Sequence, residues 1–234
     1  MSVNLPAGPP GLGTGRGRGR PPLISREQVL ACALEVADRD GLGAVTMRRL
    51  GAELDVDPMA VSRKLGGKAA LYDGLTEHVL SEVADPPRTG NWAEDFAALT
   101  RALRATLLAH PNTVPLLGTR PPVSPGSFRL IEAAVTVLLD AGFRPQDAAD
   151  GVDCAARMVV GHVLAEAGRP PVGEIGGGDE QHRQAQRDLP PTEFPGVTTV
   201  TREGVAHDPD RLFDVALRGL LLVLADQLRP GPTA

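Results

Sequence analysis

The residues best suited to chemistry lie close together, in the run from Thr46 to Lys68: Thr-Met-Arg-Arg-Leu-Gly-Ala-Glu-Leu-Asp-Val-Asp-Pro-Met-Ala-Val-Ser-Arg-Lys-Leu-Gly-Gly-Lys. Thr46 can cap a short helix whose Met47, Leu50 and Leu54 face inward while Arg48, Arg49 and Glu53 face out. Pro58 suits the first turn of a second helix, which Gly66 and Gly67 end. Two short helices joined by a tight turn, the second polar and basic, meet the needs of a helix-turn-helix: the first braces and the second enters the DNA major groove. Ala52 and Val56 are the compact residues expected where the two cross. The same pattern also fits an ordinary helical corner with solvated arginines. Upstream, Arg16, Arg18 and Arg20 sit among Gly and Pro, so a thin backbone could carry them into a narrow minor groove. A solubilising tail has the same composition.

Other constellations are weaker. His78/Glu82 and His162/Glu166 share the i, i+4 spacing that aligns two ligands on a helix face, but neither pair has an evident third ligand, so no metal is expected. The glycines 176–178 lack the Lys-Ser/Thr of a phosphate loop. There is no Gly-x-Ser-x-Gly, no His-Glu-x-x-His and no cysteine with a nearby histidine, so neither enzyme nor cofactor is expected. Cys32 and Cys154, far apart, read as free thiols.

The 234 residues are enough for two domains, and at 42% hydrophobic they can bury a real core. Residues 1–83 carry 10 basic and 10 acidic side chains, so the net charge of -5 resides in the rest of the chain. Residues 1–22, rich in Gly, Pro and Arg, read as a flexible basic arm. Apolar spacing predicts helices over 26–40, 46–55, 58–65 and 68–84, making a unit of 23–84 that ends at Pro86-Pro87. A second unit, 85–234, reads as further helices at 92–109, 112–117, 125–142, 145–167 and 209–229, with a long loop over 168–192. The expected fold class is therefore all-α. The apolar stretch 215–225 is interrupted by Arg218 and is too short to span a membrane, and the N-terminus has no apolar leader; a cytoplasmic protein is expected.

Beyond these readings, the chain resembles the tetracycline-repressor (TetR) family. The resemblance rests on Ile24-Ser25-Arg26-Glu27, Val45-Thr46-Met47-Arg48-Arg49-Leu50, Leu54-Asp55-Val56 and Lys68-Ala69-Ala70-Leu71-Tyr72-Asp73. It continues through Trp92 to Phe96, Leu117 to Pro121, Leu138 to Phe143 and Val160-Gly161-His162, similar to the tetracycline repressor's own C-terminal class. It implies a homodimeric, ligand-responsive repressor: an N-terminal three-helix DNA-binding domain on a palindromic operator and a C-terminal helical domain for dimerisation and effector binding. An effector-independent regulator or an activator shares every DNA-binding feature.

By resemblance, Thr46 and Lys68 hold phosphate and Arg48 reaches a base, while Met47, Pro58, Met59, Ser62, Arg63 and Lys64 complete the DNA face. Ser62 stands where the family usually has an aromatic, which bears on operator sequence. Asp57 and Asp55 are expected to cap the second helix. The effector pocket is assigned to Leu99, Leu103, Leu107, Leu116, Leu117 and Leu138, with Arg120, Asp153, Arg157 and His162 as polar anchors. Asp153 and Arg157 equally suit a plain i, i+4 ion pair. Leu116 and Leu117 occupy the place of the tetracycline repressor's magnesium-binding histidine, so a largely apolar effector is implied. Dimerisation is expected through 145–167 and 209–229, using Val152, Ala155, Ala156, Val159, Val160 and Val163 against Leu212, Ala216, Leu220, Val223 and Leu224.

Overall fold

The computed structural model describes residues 24–167, 178–204 and 208–228. The arm with Arg16, Arg18 and Arg20, and the glycines 176 and 177, lie outside the described residues. Among the described residues there are eleven α-helices and no strand, and no helix is long and apolar enough to cross a membrane.

Four helices open the chain: α1 (Arg26–Asp40), α2 (Met47–Glu53), α3 (Pro58–Leu65) and α4 (Lys68–Ser81). Ser25 and Gln28 form a reciprocal capping box on α1. Thr46 accepts from the Arg49 amide and Asp57 from the Met59 amide, so each short helix has its first orphan donors satisfied. Asp55 instead supplies the turn, with φ 51, a left-handed conformation that Asp tolerates better than most residues. The close approach of α2 and α3 depends on Gly51, where a Cβ would lie 2.9 Å from the Val56 carbonyl oxygen. Ala52, expected at that crossing, is exposed.

Next come α5 (Trp92–Ala109), α6 (Val114–Thr119), α7 (Pro125–Asp140) and α8 (Pro145–Ala167), then α9 (Gly178–Arg187), α10 (Pro195–Arg202) and α11 (Pro209–Gln227). Two of the departures from expectation exceed a residue or two at a helix end. The α4 helix stops at Ser81 rather than 84, before the segment whose Thr89 and Gly90 amides donate to the buried Asp95 carboxylate. The expected loop over 168–192 contains α9, and α10 follows it. The α9 sequence is almost wholly polar, so no apolar period announced it.

A single buried cluster runs from Val29, Leu34 and Val36 on α1 through Leu50, Val61 and Leu75 to Leu107, Val114, Val159, Phe213 and Leu217. It therefore crosses the junction near residue 84. A second cluster joins Phe96 and Leu99 of α5, Leu138 of α7, Ala155 of α8 and Leu224 of α11, with Trp92 edge-on to Phe143 at 5.0 Å.

Candidate nucleic-acid interface and effector cleft

Arg48 and Arg49 are neighbours in sequence and differ in employment. Arg49 pairs with Asp40 at 2.6 Å and Glu53 at 2.7 Å, and Arg39 also reaches Glu53 at 2.8 Å. Hydrogen bonds from Arg49 and then Arg39 hold the Glu53 carboxyl below its ordinary range. This network ties α1 to α2. Arg48 takes no part in it, being exposed and without a hydrogen-bond partner among the described residues.

The α3 helix presents Met59, 61% exposed, together with exposed Pro58, Arg63 and Lys64 and half-buried Ser62, while Val61 and Leu65 anchor its other face. Lys68, at the start of α4, holds its ammonium 5.4 Å from the centre of the Tyr72 ring. Thr46 and Arg48 at the start of α2 are likewise exposed. Met47 packs partly buried against the core, as its inward-facing position in the helix pattern requires, and is not on the DNA face that the resemblance assigns it.

The cleft is assembled from three helices. Phe96, Leu99, Thr100 and Leu103 of α5, Leu130, Ile131 and Ala134 of α7, and Val152, Ala155 and Ala156 of α8 line a half-open cleft whose volume of about 390 Å³ takes in the solvent at its mouth. The one polar side chain in the lining, Thr100, spends its hydroxyl on the Phe96 carbonyl at 2.8 Å. Such a surface recognises shape and apolar area.

Only Leu99 and Leu103 of the expected pocket residues line this cleft. Leu107 and Leu116 are buried in the first core cluster, with Leu117 packed against it, and Leu138 is fully buried in the second. Arg120 turns to α4, bonding Asp73 at 2.6 Å and the Ala69 carbonyl at 3.3 Å. Asp153 and Arg157 form an exposed pair at 2.8 Å, the plainer of the two readings. His162 donates from Nδ1 to the Met158 carbonyl at 2.8 Å and meets Phe213 edge-on at 5.5 Å. The periodicity that marked α5 as amphipathic did not say which of its apolar residues faced a cavity and which faced solid core.

The α8 and α11 helices also divide differently from expectation. Val152, Ala155 and Ala156 line the cleft, and Val159, Val163 and Leu224 are core, because α8 packs on α5 and α11 of its own chain. The apolar surface left outside consists of Leu164 at 43%, Leu212 at 50%, Val215 at 54%, Leu222 at 72% and Val223 at 60% exposed, alongside the open glycines Gly161 and Gly219.

The glutamates of the two i, i+4 pairs have other partners. Glu82 bonds His110 at 2.9 Å with His78 at 3.7 Å, and Glu166 bonds Arg104 at 2.8 Å. Among the described residues no group of three or more His, Cys, Asp or Glu side chains is arranged to hold a metal ion.

Comparison with known proteins agrees with this architecture. Residues 85–227 match the family model described as tetracyclin repressor-like, C-terminal domain. An HTH-type transcriptional regulator of Saccharopolyspora erythraea is 30% identical over 147 residues, covering 62% of this chain and 62% of that protein, so the chain spans less than two thirds of this relative's length. The class A tetracycline repressor protein from transposon 1721 of Escherichia coli is 31% identical over 158 residues, covering 65% of this chain and 72% of that protein. The crystal structure of the Streptomyces coelicolor TetR family protein ActR in complex with actinorhodin superposes with a TM-score of 0.78 at 28% identity, covering 86% of this chain and 95% of that one. With the family model covering most of the chain and the helical frame matched through both halves, the protein belongs to the TetR family.

Proposed function

We propose that this protein is a DNA-binding transcriptional repressor, and not an enzyme, which acts as a homodimer on a palindromic operator and is released by a small apolar effector. The observation that carries the reading is the pairing of an exposed α3 face with an apolar cleft in the same rigid frame. Residues 23–84 form the operator-binding unit and 85–234 the effector and dimer unit. Arg48 reads a base. Met59, Ser62, Arg63 and Lys64 face the groove, and Thr46 and Lys68 hold phosphate. The basic arm, with Arg16, Arg18 and Arg20, adds minor-groove contacts.

The dimer forms through α8 and α11 by the surface that includes Leu164, Leu212, Val215, Leu222 and Val223. Pairing these helices with their copies makes a four-helix bundle, with Gly161 and Gly219 permitting close approach. Two recognition helices then address half-sites about 34–36 Å apart, one DNA turn.

The effector occupies the cleft between α5, α7 and α8. A lining of alkyl and phenyl groups offers no counter-charge and no metal-binding histidine, which favours an uncharged lipophilic molecule over a chelated drug. ActR of Streptomyces coelicolor, seen with actinorhodin, supports a small organic molecule in a domain of this kind.

The test is selection of a duplex from a random library, followed by a thermal-shift screen of lipophilic compounds and a release assay on the selected duplex. Retention of one palindromic sequence, with release by a compound that raises the melting temperature, is expected. No sequence preference would overturn the operator reading, and compounds that bind without releasing DNA would leave an effector-independent regulator.

A further inference from the structure

The C-terminal ends of three helices meet at one imidazole. His110 caps α5, with its amide donating to the Thr106 carbonyl. Its ring, 15% exposed, places Nδ1 at 2.7 Å from Asp38 Oδ2 near the end of α1, and Nε2 at 2.9 Å from Glu82 Oε2, the residue that caps α4. Beside it, the Asn112 amide donates to the Ala37 carbonyl at 2.9 Å and the Asp38 carbonyl at 3.2 Å.

A carboxylate oxygen only accepts. Both ring nitrogens therefore need protons to make these two bonds, and a neutral imidazole would turn a lone pair on Asp38 or Glu82. The arrangement is built for imidazolium. The negative ends of the helix dipoles converging there favour the same positive charge. Asp38 Oδ1 is buried without a hydrogen-bond partner among the described residues, so this carboxylate has no alternative donor when His110 is neutral.

We infer that His110 is a protonation-dependent clamp, a positioning residue that locks α1 and α4 of the DNA-binding unit onto the end of α5. The inference rests on the operator-binding reading for its consequence, though not for its geometry. The α5 helix carries four of the cleft residues toward its start and the clamp at its end, so one rigid rod touches both effector space and the operator-reading unit.

Burial alone would lower the His110 pKa, but hydrogen bonds and charge from Asp38 and Glu82 outweigh it and raise the pKa above the ordinary histidine value. A raised folded-state value means the clamp contributes fully below the ordinary histidine range and is lost as pH climbs through the raised value. The charged groups around it come from each packed element: Asp38 on α1, Glu82 at the end of α4, and His78, which reaches the other Glu82 oxygen at 3.7 Å. Arg39 and Asp40, next along α1, are engaged with Glu53 and Arg49.

The experiment uses the full chain without DNA. Hydrogen exchange of the α4 amides, corrected for intrinsic rates, is compared at about pH 6 and about pH 8.5 in wild type, His110→Gln, His110→Arg and a His182→Gln control from exposed α9. Wild type and the control should lose protection about tenfold at the higher pH. His110→Arg, permanently charged, should stay protected at both, and His110→Gln should match high-pH wild type at both. Should His110→Gln fail to fold, the Arg variant alone decides. A pH response that survives in either variant, or is absent from wild type, overturns the clamp.

A second readout measures affinity for the selected duplex across the same pH range, expected to vary in wild type and stay flat in both variants. Affinity that varies equally in the variants counts against the clamp's effect on DNA. Absence of specific binding at every pH counts against the regulator reading, while exchange still decides the clamp.

Discussion

The α2–α3 corner and the α5–α7–α8 cleft are built in opposite ways. The corner spans about twenty consecutive residues, and its caps, turn and exposed bases follow one another in the chain. The cleft draws its lining from residues 96 to 156, and none of its walls is complete on one helix. A local site can be altered one side chain at a time without disturbing its neighbours, whereas an assembled cavity responds to any change in how three helices pack.

The largest test of this contrast lies outside both regions. Val223→Glu places a charge on the exposed α11 face, where a dimer would exclude water, and should convert the dimer to monomers and abolish operator binding, as read by light scattering and gel shift. Leu220→Glu is a poorer probe, since Leu220 packs against the second core cluster and its loss would also unfold the chain.

Within the corner, Arg48→Ala should cost about 1–3 kcal/mol on the selected duplex and little on random DNA. Arg49→Ala should instead lower the melting temperature, because Arg49 serves the α1–α2 network. Equal losses on both duplexes would reduce Arg48 to a phosphate contact.

Gly51→Ala sharpens the point from the backbone side. Its Cβ would meet main-chain atoms of Val56 and Pro58, which cannot swing aside, so α3 must shift at a cost of about 1–3 kcal/mol in stability, measurable by urea denaturation, with weaker operator binding. The smallest effect belongs to the cleft: Ala156→Leu should fill part of it, removing the effector's thermal shift while changing stability and operator affinity by less than about 1 kcal/mol. Release that persists in this variant would move the effector elsewhere.

The corner was legible because its signals are local: Thr46, Asp57-Pro58 and Gly66-Gly67 mark helix ends through hydrogen bonds spanning two to four residues. Among its misplaced details, Ala52 for Gly51 turned on a contact between helices. The cleft was legible only in character. Leu99 and Leu103 were found, but Ala134, Ala155 and Ala156 were not, because a small residue that makes room looks the same in sequence as one that lets two helices touch. Arg120 and His110 show the same limit: Arg120 finds its carboxylate 47 residues away, and His110 finds its two 28 and 72 residues away.

The buried cluster that crosses from α1 to α11 bears on how the molecule comes apart. Removing residues beyond 84 would strip Leu107, Val114, Val159 and Phe213 from the surface they share with the first four helices. A lone N-terminal fragment would then display an oily flank, and its α3 helix would sit on a loosened base. Heating the intact chain should accordingly produce one calorimetric peak spanning both halves, with the amides of α1 and α8 exchanging through the same global opening.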